Sequence, residues 1–282
     1  MSASYPLVRN RYAFSTRFGV SRSPSRSGFS PRSVSSFLIA SCIFVFYIPA
    51  ATAQSADLPS RDARFGEADR LYAERANLVS ARRAADLWTA ALASNARDFD
   101  AAWKLARARY WLGGHGTEAE RRKDLESGIE AGRKAVALQP NRPEGHFWIA
   151  ANMGALADSY GIRQGVKYRG PIKDELETVL RLDASFMEGS ADRALGRWYA
   201  RVPRLAGGDR KRAESHLRTS LTYNQASTIS HFFLGEFLAE EGRKDEARAE
   251  YQKVLDAPLS QLWAPEDQEF KQKASKALAS LK

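Results

Sequence analysis

From residue 61 onward, apolar side chains recur three and four positions apart, and the alternating β-branched runs that strands need are missing. Ala, Leu, Arg, Glu and Lys fill much of the remainder, residues that lose little on entering a helix. The pattern predicts an all-α chain of roughly eleven helices. It also repeats. Quartets of small and apolar residues spaced four, three and five apart occur five times, with third members Ala91, Ala135, Val179, Ser220 and Val254. Each quartet follows a second motif, spaced three, one and three, that opens at Ala68, Trp103, Phe147, Asp192 and His231. Pro140, Pro143 and Pro258 fall between these units, where a residue without an N–H ends or starts a helix.

Paired motifs of this kind resemble tetratricopeptide (TPR) repeats, in which small residues let a helix A and a helix B approach and bulky ones fill the remaining space. The resemblance implies an all-α, TPR-like α-solenoid of about five helix hairpins. The third-column residues are separated by 44, 44, 41 and 34 positions, so only the last interval has the usual length of about 34. The surplus falls between helix A and helix B, at Gly113-Gly114-His115-Gly116, Tyr160-Gly161-Ile162 and Arg204 to Gly208, where glycine is expected to supply a helix end of positive φ. Asp209 is placed to cap the helix that follows. After Pro265, acids come first and lysines last, and Phe270, Ala274, Leu278 and Leu281 share a face. That predicts a capping helix over 265–282, closing a repeat domain of 62–282.

Two families lie nearer than the generic repeat. The run from Leu195-Gly196 through Tyr199 and Pro203 to Gly207-Gly208-Asp209 and Ala213 is similar to the pattern of periplasmic T components associated with TRAP transporters. The stretches Gly161 to Lys173, on to Leu180, and Pro265 to Leu278 look like the eukaryotic regulators of microtubule dynamics. The first resemblance implies a role beside an extracytoplasmic solute-binding protein and a hydrophobic ligand cavity. The second implies partner or lipid binding at membranes.

The N-terminal stretch reads differently. Residues 1–36 are rich in Ser and Arg without an acid, and they lead into the apolar run Phe37 to Ile48, then Pro49 and Ala51-Thr52-Ala53. Basic region, short apolar core and small-x-small site are the order of a secretory signal, so residues 1–53 are read as a signal peptide and 54–61 as a tether. Two rival readings stay open: retention of the segment as an N-terminal anchor, and lipidation at Cys42 within Ile39-Ala40-Ser41-Cys42. All three place the chain in the periplasm or outside the cell. Membrane association is expected only through an uncleaved signal or a lipid.

Charge and cysteine content narrow the function. The formal net charge is +10, but six arginines precede the first acid, Asp57, and the chain beyond residue 53 carries 37 basic and 33 acidic side chains. That near balance argues against a nucleic-acid partner held by bulk charge. Cys42 is the only cysteine, which excludes a disulfide framework and a cysteine metal site. None of His115, His146, His216 and His231 has metal-ligand spacing. No nucleophile elbow occurs, and Gly207-Gly208-Asp209-Arg210-Lys211 lacks the Lys-Ser/Thr of a phosphate loop. The sequence therefore predicts a protein that is not an enzyme and needs no cofactor.

Binding is the remaining chemistry. With the first residue of each A motif as position four, positions five and nine face the concave side and are Lys104/Ala108, Trp148/Asn152, Arg193/Arg197 and Phe232/Glu236. Trp111 and Arg201 extend the same face. Arg193, Arg197 and Arg201 are four apart and form one cationic stripe. Lys104, Trp111, Trp148, Asn152, Arg193, Arg197, Arg201 and Phe232 are thus the candidate contacts for a protein partner, an acidic or carboxylate-ended segment gripped by charge-assisted bonds and stacked on aromatics. The alternative is capture of a small hydrophobic ligand or lipid by a transporter accessory, which predicts an enclosed apolar cavity.

Overall fold

A computed structural model describes residues 61–281, and the first 60 residues, which hold the predicted signal, anchor and lipidation site, lie outside the described residues. Eleven α-helices follow one another among the described residues, without a strand. Five hairpins pair α1 (Arg61–Ala73) with α2 (Leu78–Ser94), α3 (Phe99–His115) with α4 (Glu118–Leu138), and α5 (Pro143–Tyr160) with α6 (Ile162–Leu182). They continue with α7 (Phe186–Arg201) against α8 (Arg210–Tyr223) and α9 (Thr228–Glu240) against α10 (Lys244–Asp256). Helix α11 (Ala264–Ser280) packs on α9 and α10. The chain is an all-α solenoid. No helix among the described residues is long and apolar enough to cross a membrane.

The repeat columns carry the packing. Ala91, Ala135, Val179, Ser220 and Val254 all lie within the interior, from fully buried to 5% exposed. The column before them supplies Trp88, Leu176, Leu217 and Tyr251, each buried. Burying a large side chain of this kind stabilises the fold by about 1.5–3 kcal/mol. In the second hairpin that column holds Gly132, where an added Cβ would lie 2.7 Å from the Ile149 side chain. The next helix comes closer and fills the space itself.

Helix starts follow local chemistry. The side chains of Asn77, Asp98, Asp209 and Ser227 accept hydrogen bonds from the first free N–H groups of α2, α3, α8 and α9. Asp209 accepts from two, Lys211 at 2.9 Å and Arg212 at 3.1 Å, as the sequence predicts. Pro143 opens α5 at a position that needs no donor. The turn before Asp209 depends on glycine. Gly207 has φ of +104°, and a Cβ on Gly208 would fall 1.7 Å from the Val202 carbonyl oxygen.

The long intervals are accommodated as helix rather than as folded-back loops. α3 to α6 run to 17, 21, 18 and 21 residues, against 13 each in α9 and α10. Gly113 and Gly114 continue α3, contrary to the expected helix end there. Gly113 is needed for proximity, because a Cβ there would meet Leu125 of α4 at 2.5 Å.

The last helix does more than cover a hydrophobic end. Ala274 is fully buried, and Phe270 packs on Phe232 and Phe233 at centroid distances of 5.2 and 5.4 Å. The first turn of α11 also reaches the first hairpins. Arg75, between α1 and α2, donates to Glu266 and to the Leu262 carbonyl oxygen, and His115 lies 3.2 Å from Glu269. The array closes on itself through this helix.

Candidate functional site

A concavity of ≈ 970 Å³ lies inside that closure. Its wall is built from α3, α5, the first half of α6, α7, α9 and α11. Tyr110, Phe147, Trp148, Phe233 and Phe270 give it an aromatic lining, and Arg169, Arg193, Arg197 and Arg201 bring cations to it. Each feature follows from helix geometry. Arg193, Arg197 and Arg201 share a face of α7 because they are one turn apart. Arg169 arrives from the extra turns of α6.

The cations are not equivalent. Arg197 stands 4.2 Å from the Phe233 ring and 3.9 Å from Asp158. Arg201 lies 3.6 Å from Glu236. Arg193 reaches only the Ser230 hydroxyl at 3.3 Å and, at 3.5 Å, the carbonyl oxygen of Glu188. Among the described residues no carboxylate pairs with Arg193 or Arg169. Burial pushes the Arg193 guanidinium down to about 10, against the opposing pull of the Glu188 carboxylate, so it stays cationic at neutral pH. Glu188 belongs to a left-handed turn at the cavity wall, with φ of 46° at Met187 and 59° at Glu188.

Of the eight candidate contacts, Trp148, Arg193, Arg197 and Arg201 line the concavity. The other four do not. Lys104 of α3 bonds Asp69 of α1 at 2.6 Å. Trp111 is buried, stacked on His115, with its Nε1 donating to the Arg75 carbonyl oxygen at 2.7 Å. Asn152 is fully buried and donates to the carbonyl oxygens of Ala106 and Trp148 at 3.1 and 2.7 Å. Its amide occupies the space where a Cβ on Gly128 would sit. Phe232 is part of the core against Tyr251 and Phe270.

For Lys104, Trp111 and Asn152, on α3 and α5, the reason is a one-residue slip in register; Phe232 lies on α9, where the register holds, and is covered by Phe270 of α11. In the fifth hairpin the A motif His231, Leu234, Gly235, Leu238 is buried throughout, as is Asp192, Leu195, Gly196, Tyr199 in the fourth. The equivalent buried set in α5 is His146, Ile149, Ala150, Met153, one residue before the motif that opens at Phe147. In α3 the set opens at Ala102, Leu105 and Ala106 rather than at Trp103. A slip of one residue turns a helix face by about 100°. The inward residues of α5 are therefore Phe147 and Ala151, and both line the concavity.

Histidines mark the true register. His146 Nδ1 lies 2.5 Å from Glu175 and its Nε2 2.9 Å from the Pro140 carbonyl oxygen. His231 repeats the arrangement with Glu250 at 2.6 Å and the Gln225 carbonyl oxygen at 2.8 Å. In the fourth hairpin the pair is reversed: Asp192 on helix A meets His216 on helix B at 2.7 Å. Each pair ties helix A to helix B immediately before the bulky column residue. The signal was present in the sequence, as a histidine eleven residues after a third-column residue in both Ala135–His146 and Ser220–His231.

No curated protein matches the chain in sequence. Among solved structures, the thermophilic TPR protein TTC0263 of Thermus thermophilus superimposes with a TM-score of 0.59 at 24% identity, over 77% of this chain and 98% of that one. That likeness establishes the TPR-like fold. YrrB, a TPR protein with an unusual peptide-binding site, gives 0.41 at 20% identity over 70% of this chain and 93% of its own. PilF of Pseudomonas aeruginosa gives 0.43 at 18% over 78% and 91%. The resemblance to TRAP T components is not shown by these matches, and its most specific stretch, Pro203 to Asp209, is accounted for locally as a tight turn and a helix cap. The profile of RMD1-3, regulator of microtubule dynamics protein 1-3, matches residues 65–282, well over half of the sequence, and the chain belongs to that family.

Proposed function

We propose that this protein is a non-enzymatic binding module that holds an anionic, partly apolar segment of a partner protein in the concavity. The observation that carries the reading is Arg193, a cation in the cavity wall without a carboxylate partner among the described residues, set among Trp148, Phe233 and Arg197. A partner carboxylate would supply the missing charge, and charge-assisted bonds of this type are roughly twice as strong as neutral ones. Aromatic faces beside it favour an extended segment with apolar side chains. The hairpins and α11 form the wall in advance, so little ordering of the receptor opposes binding.

The second reading, a transporter accessory that captures a small hydrophobic ligand or lipid beside a solute-binding protein, draws on one observation. Trp263, Glu266 and Phe270 of the α11 region wall one side of the space, so the concavity is bounded by the last helix as well as by the hairpins. Both readings fit export by the leader expected in residues 1–53, and we assign the module to the periplasm or the secreted fraction on that sequence alone.

Titration of the purified chain with an acidic, free-carboxylate peptide, read by tryptophan fluorescence, tests the first reading. Arg193→Ala/Arg197→Ala should weaken binding by at least ~1 kcal/mol. Unchanged affinity in that variant removes the anionic site. Native mass spectrometry that finds a small molecule retained by the chain, with no peptide binding, favours the second reading instead.

A further inference from the structure

Three consecutive residues at the start of α7 have left-handed backbone, with φ of 46° at Met187, 59° at Glu188 and 72° at Gly189. That conformation suits glycine and is costly for a residue with a Cβ, so it persists only where the surroundings dictate it. Gly189 shows what dictates it. A Cβ there would lie 2.5 Å from the Tyr223 side chain and 3.1 Å from the Ser220 Cα, so the chain is pressed against α8 at this point. Met187 and Glu188 are carried into the turn with it, and both line the concavity.

The turn presents the backbone of Glu188 to Arg193, not its carboxylate. Arg193 Nη1 donates to the Glu188 carbonyl oxygen at 3.5 Å and to the Ser230 hydroxyl of α9 at 3.3 Å. Both acceptors are neutral, so they fix the guanidinium without cancelling its charge. A glutamate side chain is long enough to fold back beside its own carbonyl group, and the Glu188 charge already acts on Arg193 from a distance. The carboxylate is held elsewhere. Asn224, at the C-terminus of α8, donates from Nδ2 to Glu188 Oε2 at 2.8 Å. The Asn224 amide is itself oriented, because its Oδ1 accepts from the Ala226 N–H at 2.8 Å. Arg197 and Arg201, by contrast, have Asp158 and Glu236 within 3.9 and 3.6 Å.

We propose that Asn224 is a positioning residue for the anion site: by holding the Glu188 carboxylate it prevents an internal ion pair with Arg193 and leaves that cation for the carboxylate of a partner. The inference rests on the reading of the concavity as a site for an anionic segment. It adds that the site carries its own competitor, since Glu188 on Arg193 would form the same charge-assisted bonds as an incoming carboxylate. The left-handed turn and Asn224 together keep that competitor out of the way.

The test uses Asn224→Ser, in which the hydroxyl can still accept from the Ala226 N–H while the amide donor to Glu188 is lost. Titration of the full chain with an acidic, free-carboxylate peptide should show affinity reduced at least about threefold in Asn224→Ser and equal to or above wild type in Glu188→Gln. In the Glu188→Gln background Asn224→Ser should have no further effect, because the two residues act as one unit. Circular dichroism spectra should be the same throughout. A second measurement needs no peptide. Burial holds the Arg193 guanidinium at about 10, which favours its reaction with the arginine-selective reagent phenylglyoxal. Modification at Arg193, read by peptide mass spectrometry relative to Arg201, should slow in Asn224→Ser and recover in Asn224→Ser/Glu188→Gln. Wild-type affinity and wild-type labelling in Asn224→Ser overturn the proposal, as does a double variant that behaves like Asn224→Ser alone. Labelling in the expected order with no peptide bound by any form would support the hold on Glu188 and overturn instead the reading of the concavity as an anion site.

Discussion

Arg75 and Glu266 stand 191 residues apart in the chain and share two hydrogen bonds, one of 2.9 Å from the guanidinium Nε. The Arg75 side chain is only 3% exposed and also lies 5.0 Å from the Tyr72 ring and 5.4 Å from that of Trp111. A repeat array gains stability from neighbouring units, and this contact joins units that are not neighbours. It joins the first hairpin to the last helix beside the concavity.

Removing the carboxylate leaves a buried guanidinium without its counter-charge. Glu266→Ala is therefore expected to destabilise the protein by about 3 kcal/mol, measured by urea unfolding. Replacing both partners, as in Arg75→Met/Glu266→Leu, should recover most of that loss, since the charge that needed a partner is gone. A loss below about 1 kcal/mol in Glu266→Ala would mean that solvent reaches Arg75 and that the closure is not held by this pair.

The same helix has a pH-dependent contact. Burial opposes the charge on His115, yet its bonds to Glu269 and the Trp111 carbonyl oxygen outweigh that and raise its pKa above 6.5. The bond to His115 holds Glu269 down, at about 2, against the effect of burial. The raised histidine contributes stability that is complete below pH 6.5 and is lost as pH climbs through its folded pKa. The depressed glutamate contributes stability present above pH 4.5 and lost as pH falls toward about 2. His146, raised chiefly by its bond to Glu175, acts in the direction of His115. Thermal stability should thus peak between about pH 4.5 and 6.5 and decline on the alkaline side. His115→Gln and His146→Gln should each flatten that decline in a series of melting curves, and identical slopes in wild type and variants would exclude the histidines as its source.

How far the sequence could be read depends on what each residue had to do. The B helices were legible because Ala91, Ala135, Val179, Ser220 and Val254 meet one steric demand at every repeat, and each is buried as the spacing implies. The A helices were harder. At α5 the apolar residues Phe147 and Trp148 look like packing positions, while the residue that holds the hairpin register is the polar His146. Aromatic residues on the cavity wall and in the core have the same hydrophobicity, so periodicity alone does not separate them. The contribution of α11 to the wall was invisible for another reason. It depends on closure between Arg75 and Glu266, and no local pattern encodes a contact across the whole array.

Close approach of helices gives a third expectation. Gly196 on α7 faces α8, where an added Cβ would lie 2.6 Å from the Leu217 side chain and 3.1 Å from the Ala213 carbonyl oxygen. The backbone contact cannot be relieved by a rotamer change. Gly196→Ala should cost about 1–3 kcal/mol of stability in spite of its better helix propensity. Gly114 is helical too, but a Cβ there meets nothing within 4 Å. Gly114→Ala should be neutral or stabilising by up to about 1 kcal/mol. The pair of variants, compared by chemical denaturation, separates packing from propensity, and equal effects would contradict the hairpin geometry.

The register of α5 decides which residues touch a ligand, and adjacent positions 151 and 152 distinguish the two assignments. Ala151 lines the concavity, whereas Asn152 is fully buried with its amide nitrogen engaged by two carbonyl oxygens. Ala151→Trp adds volume to the cavity without entering the core, so it should block binding of an acidic peptide by at least about tenfold while changing stability by less than about 1 kcal/mol. Asn152→Ala removes the donor from two buried carbonyl oxygens and should cost about 1–3 kcal/mol in urea unfolding. Its peptide affinity, measured under conditions where the variant is folded, should be unchanged. If Asn152→Ala abolishes binding and Ala151→Trp leaves it intact, the inward face of α5 is the one that carries Asn152, and the wall of the concavity has been assigned to the wrong side of the helix.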